Sequence, residues 1–215
     1  MAYTVDQQHE IADEDALRSL YPATHELARV KCLGSLDLHA RAFIERAPFL
    51  CLGTQNARGS ADVSPRGDPA GFVRVLDDNT LAIPDRPGNN RLDSLSNILA
   101  NPAVGLLFIV PGFDDTLRVN GRARLVTAPA LLAEMTVNGR APTLAILVDV
   151  HEVFLHCAKA FRRSRLWDPE HFRDRRELPS LANMILDQTT GAPEDSREMA
   201  RIDADLEEGY RRSMY

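Results

Sequence analysis

The chain has 215 residues, a formal net charge of −6 and 44% hydrophobic residues. That is enough apolar content to bury a core, and the composition excludes collagen-like, coiled-coil and disulfide-stapled classes. Of the 25 basic residues only Lys31 and Lys159 are lysines, leaving 23 arginines; an acidic chain of this kind is a poor general partner for nucleic acid, whose phosphates favour a net basic surface, although arginine can still grip one anion locally.

The start of the chain is polar and acidic, without a basic end followed by an apolar run, so it does not read as a secretory signal. The longest apolar run, 104–110, is strand-sized and too short to cross a bilayer. Cys32, Cys51 and Cys157 are odd in number and widely spaced. A cytoplasmic protein with no membrane span is the expectation.

In chain order, the first 47 or so residues read as helical. Segments 13–20 and 23–29 carry apolar residues at helical spacing, and Asp37 caps a helix running to Arg46 with Phe43 facing inward. Pro48 ends it, and the pattern then changes to strands. FLCLGTQ (49–55), ADVSPRG (61–67), FVRVL (72–76) and TLAIP (80–84) are separated by turn residues. A loop, DRPGNNR, leads into a helix over 92–100 that Asn101-Pro102 stops. Strands follow at 104–110 and 116–126, the second with Leu117, Val119 and Leu125 inward and a bulge or bend at Gly121. A short helix over 129–136 precedes a long, bent strand over 143–157. About seven closely spaced strands with one embedded helix predict a β-barrel rather than a sandwich of uniform hairpins. The tail returns to helix at 181–190 and 194–212, the latter with Met199, Ile202, Leu206 and Tyr210 at helical spacing.

The segment 61–121 carries the chemistry. Ser64-Pro65-Arg66-Gly67 ends one strand, Asp85-Arg86 follows another, and Gly88-Asn89-Asn90-Arg91 opens a helix. A helix start offers unpaired N–H groups and the positive end of the dipole, and arginine binds phosphate bidentately. These residues predict a site for one phosphomonoester at the helix start, with Arg66, Arg86 and Arg91 around it. The competing reading pairs Arg86 and Arg91 with Asp85 and Asp93 at the surface and leaves Asn89 and Asn90 as a turn and cap.

The order strand, SPRG, strand, IPDRPGNNR, helix, NP, buried strand, LRVNGRA, followed by HCAKAFRRSRLW, resembles the pyridoxamine 5′-phosphate oxidase-like family of FMN-binding split barrels over about 37–172. It is most similar to a branch of short flavoproteins there. The resemblance implies a mainly β, Greek-key-like split β-barrel with peripheral helices at both termini. It divides the chain into an N-terminal helical extension (1–36), an FMN-binding barrel (37–172) and a C-terminal helical extension (173–215). It also implies a homodimer with FMN at the subunit interface and a small-molecule substrate. Ser64 and Arg66 would line flavin ring and ribityl phosphate, with Asp85 and Arg86 at the next strand end. Asn89, Asn90 and Arg91 would take the place of the family's phosphate loop, which often reads Ser-Arg-Lys-Gly. Lys159, with Arg162, Arg163 or Arg165, would reach the flavin or a substrate acid group across the dimer, and Trp167 would stack near the flavin ring.

Two departures stand out: there is no lysine in the phosphate loop, and Trp167-Asp168-Pro169-Glu170-His171 does not reproduce the family's substrate-binding Arg-x-His motif. The resemblance therefore extends to FMN and not to a particular substrate. It implies an FMN-dependent oxidoreductase, with an FMN or haem carrier or sensor as the alternative, for which His151, His156 or His171 would be the axial ligand. A deazaflavin reductase is disfavoured by the scarcity of lysine. Lys159, Arg162, Arg163 and Arg165 equally read as a solvated basic turn, Trp167 as a barrel closure, and Cys157 as a small buried apolar residue. His151 and His156 are five apart on a strand, which sets them on opposite faces and predicts no shared metal. No residue stands out as a nucleophile or catalytic base.

Overall fold

A computed structural model describes residues 3–215. The chain divides into two compact units, Met1–Cys32 and Leu33–Tyr215. In the first, Asp13 caps α1 (Glu14–Ser19) by accepting from the Ala16 N–H, and α2 (Glu26–Val30) follows. Neither helix contains a buried residue.

The second unit is built on seven strands, all antiparallel, in the order β2-β1-β5-β6-β7-β4-β3. They are β1 (Phe49–Gln55), β2 (Ala61–Gly67), β3 (Arg74–Val75), β4 (Thr80–Pro84), β5 (Ala103–Ile109), β6 (Thr116–Val126) and β7 (Ala145–His156). Leu50 and Leu52 of β1 share one core cluster with Leu81 and Ile83 of β4, although β5, β6 and β7 lie between these strands in the sheet. Such sharing across the sheet is what a sheet that curls on itself produces. Its two end strands, β2 and β3, are not paired with each other, and the barrel is therefore split. The architecture is mainly β with helices at the periphery.

Helix α3 (Leu38–Arg46) starts where Asp37 accepts from the Ala40 N–H at 2.8 Å, and it buries Ala40, Phe43 and Ile44 in the core. Helix α4 (Asp93–Ala100) adds Leu95 and Ile98 to the same cluster. Helices α5 (Pro129–Glu134), α6 (Lys159–Ser164), α7 (Leu181–Asp187) and α8 (Ser196–Ser213) complete the unit. Residues 173–215 fall in the same unit as the barrel.

Gly121 marks an irregularity, as its place in an alternating strand suggests. The β6–β7 register shifts there, leaving His151 as the extra residue of β7. A Cβ on Gly121 would lie 2.2 Å from the Asp149 carbonyl oxygen, so no larger residue fits without moving the backbone. The bulge also breaks the alternation on which the opposite-face reading of His151 and His156 rests, so their spacing no longer sets their relative faces. The third strand is shorter than its sequence implies: only Arg74–Val75 pair, while Phe72 and Val73 turn into the core. Among the described residues no helix is long and apolar enough to cross a membrane.

Candidate functional site

A cleft of about 760 Å³ opens between β2 and the chain that runs from the end of β4 to the start of α4. This lies within the range of about 300–1,000 Å³ usual for small-ligand sites. One wall is the inner face of β2. Its register pairs Asp62 with Thr54, Ser64 with Leu52 and Arg66 with Leu50. On β1 that face is buried, whereas on β2 it is polar and half-buried. A polar inner face on an edge strand identifies a wall that meets a polar occupant or solvent rather than the core.

The opposite wall is the segment Pro84 to Leu95. Asp85 reaches across the split, where Arg66 Nη1 donates to its Oδ1 at 2.7 Å; both side chains are less than one-fifth exposed. The loop then turns through two left-handed residues, Asn90 at φ 58° and Leu92 at φ 59°. Asparagine tolerates that region, whereas leucine is strained there. Leu92 is the N-cap residue of α4 and supplies no side-chain hydrogen bond to the helix start. Asn89 Oδ1 accepts from the Arg91 N–H at 3.1 Å, closing a local turn. A part-buried polar chain fixes α4 against β1 and β2: Ser94 Oγ donates to Asp62 Oδ2 at 3.0 Å, and Asn97 Nδ2 to Thr54 Oγ1 at 3.0 Å.

The three predicted arginines differ in what they hold. Arg91 is exposed and pairs with Asp93 at 2.7 Å, a contact that raises its already high pKa. Arg86 donates through Nε to Asp68 at 2.6 Å and through Nη2 to the Met135 carbonyl at 2.8 Å; its partner is therefore Asp68, not Asp85. Among the described residues the buried Nε–H of Arg66 has no acceptor, although its Nη1 is engaged. A buried donor left unpaired is costly, and the side chain that carries it lines the cleft, which also holds a helix start that lacks a side-chain cap. Both features suit an anion.

Ser64, Arg66, Asp85, Arg86, Asn89, Asn90 and Arg91 all line this one cleft. Lys159 and Trp167 are not among its lining residues. Lys159 begins α6, and Trp167 donates through Nε1 to the Phe113 carbonyl at 2.8 Å and packs on Phe161, ring centroids 5.9 Å apart. Sequence reasoning missed Asp62, Ser94 and Asp68. Each is an ordinary polar residue locally, and only register or tertiary folding gives it a partner.

No curated protein matches this sequence. Similar solved structures include HupZ of Group A Streptococcus, 17% identical over 56% of this chain and 93% of that one, with a TM-score of 0.46. General Stress Protein 26 of Bacillus anthracis is 15% identical over 54% and 88% of the two chains, TM-score 0.42. An FMN-binding protein of Syntrophomonas wolfei is 9% identical over 54% and 88%, TM-score 0.41. Residues 36–157, more than half of the chain, match the family described as Pyridoxamine 5'-phosphate oxidase. The chain belongs to the pyridoxamine 5'-phosphate oxidase family.

Proposed function

We propose that the cleft between β2 and α4 binds FMN and that the protein acts as an FMN-dependent oxidoreductase on a small molecule. The observation that carries this reading is Arg66, a half-buried cleft-lining guanidinium that still has an unpaired donor among the described residues, in the same cleft as the uncapped start of α4. Together the Arg66 guanidinium and the helix start would offer a charged group and first-turn N–H groups to a phosphate monoester. Asn89, Asn90 and Arg91 form the mouth of that site. Ser64 and the outward backbone groups of the β2 edge would face the flavin ring, because an antiparallel edge strand leaves alternate N–H and C=O groups unpaired. Asp85 holds Arg66 in place. When bound, FMN supplies hydride and electron transfer, and the protein supplies orientation and electrostatics.

The same reading includes a homodimer in the cytoplasm. Phe49, Cys51, Val63, Pro65, Leu107 and Ile109 share the outer face of β2, β1 and β5, as the strand registers require, and Val63 is 69% exposed there. An apolar sheet face of this kind suits a second copy of the chain.

Titration of FMN fluorescence tests the phosphate assignment. Arg66→Gln should weaken FMN binding about tenfold or more, the scale of one lost charge-assisted hydrogen bond. Arg91→Ala, at an exposed and already paired side chain, should weaken it by only about threefold. Unchanged affinity in both variants contradicts the assignment.

A further inference from the structure

Behind the cleft wall a second cluster engages Arg86 from three sides. Asp68 follows β2 directly, and its side chain is only 1% exposed. Both of its oxygens are occupied: Arg86 Nε donates to Oδ2 at 2.6 Å, and the Tyr215 hydroxyl donates to Oδ1 at 2.5 Å. The Arg86 guanidinium also lies 6.0 Å from the centroid of the Tyr215 ring, at the outer reach of a cation–π contact. Its Nη2 is held by the carbonyl of buried Met135. Arg86 nevertheless lines the cleft.

Tyr215 is 147 residues from Asp68 in sequence and is brought there by α8, which buries Met199 and half-buries Ile202 and Leu206. The phenol stays a protonated donor at neutral pH. Its hydrogen bond to the Asp68 carboxylate holds it above the ordinary tyrosine range, and burial adds to the effect. Removal of the phenol leaves a deeply buried carboxylate short of one charge-assisted bond, and Arg86 loses the aromatic ring beside it.

We propose that Tyr215 is a positioning residue for the cleft: through Asp68 it holds Arg86 and the chain leaving β4, so that docking of residues 196–215 and occupation of the cleft are thermodynamically linked. Only the second half rests on the reading of the cleft as an FMN site. Linkage is reciprocal, so an occupant that favours the held position of Arg86 tightens the docked tail by the factor with which the tail tightens the occupant.

Hydrogen-exchange mass spectrometry on the full chain tests both halves. The reporter is the peptide covering 80–91, whose Asp85 N–H donates to the Leu144 carbonyl at 3.0 Å. Without FMN, Tyr215→Ala should speed exchange in 80–91 about tenfold, the scale of one hydrogen bond to a charged group, and also in 207–213. Tyr215→Phe keeps the ring beside Arg86 but loses the same hydroxyl bond to Asp68, and should speed exchange in 80–91 nearly as much as Tyr215→Ala. Exchange in β1, 49–55, should stay unchanged, which separates a local effect from general loosening. Unchanged exchange in 80–91 for Tyr215→Ala overturns the positioning role whether or not FMN binds. Added FMN should slow exchange in 207–213 of the wild-type protein and lose that effect in Tyr215→Ala. If FMN slows 80–91 but leaves 207–213 unaffected, the linkage is overturned while the FMN site stands. If FMN slows neither region, the FMN reading fails and the linkage with it, while the comparison made without FMN still decides the positioning role.

Discussion

At the scale of single residues, the cleft separates arginines that look alike in sequence. Arg66, Arg86 and Arg91 all sit at strand ends or the helix start, and the sequence offers no basis for ranking them. The fold supplies it: Arg91 is spent on Asp93 in solvent, Arg86 on Asp68 and Met135, and Arg66 retains one buried donor. Asp68 and Tyr215 are illegible in sequence because their meeting depends on the path of α8. Gly121 is legible, since a glycine in an otherwise alternating strand interrupts packing. Its physical reason is close approach: a methyl group there would sit 2.2 Å from the Asp149 carbonyl oxygen. Gly121→Ala should therefore destabilise the protein by about 2 kcal/mol or more, read by chemical denaturation, because the β6–β7 backbone must move to admit the added carbon. A midpoint within error of the wild type would show that the bulge yields freely.

At the scale of elements, strands bounded by strong turn residues are the most legible. β1, β2, β4 and β6 have the limits that Asn, Gly, Asp and Pro impose on either side. The six-residue α6 escapes sequence reading because Ala158 provides no capping side chain and its basic composition reads equally as a turn. The expected start of α4 at residue 92 is displaced to Asp93, with Leu92 held left-handed before it. That strain belongs to the loop that shapes the cleft mouth. Leu92 is half exposed, so little packing is lost on truncation. Leu92→Gly should raise the unfolding free energy by about 1 kcal/mol, as relief of the left-handed strain exceeds the added backbone entropy of glycine. A lower unfolding free energy would show that the leucine side chain contributes packing that outweighs its backbone strain.

At the scale of the whole molecule, the curled sheet explains why the cleft exists. A barrel closed between β2 and β3 would pair the β2 edge and fill its inner face with apolar side chains. The split leaves Asp62, Ser64 and Arg66 facing the chain beyond β4 instead. The barrel, its strand order along the chain and the family are legible from the spacing of several weak motifs, whereas Lys159 and Trp167 enter the reading by resemblance alone and do not line the cleft of their own protomer. The apolar outer face of β1, β2 and β5 belongs to the proposed dimer. Val63→Glu places a charge at an apolar position of that face that is 69% exposed and should shift sedimentation equilibrium from dimer toward monomer by about tenfold or more in dissociation constant. An unchanged dimer would place the interface elsewhere. Whether the split holds a flavin is decided most directly by the absorption spectrum of the purified protein with and without added FMN. Flavin bands are expected, with FMN fluorescence quenched on binding at one equivalent per chain. A haem Soret band, or a colourless protein that leaves added FMN fully fluorescent, would contradict a flavin in the split.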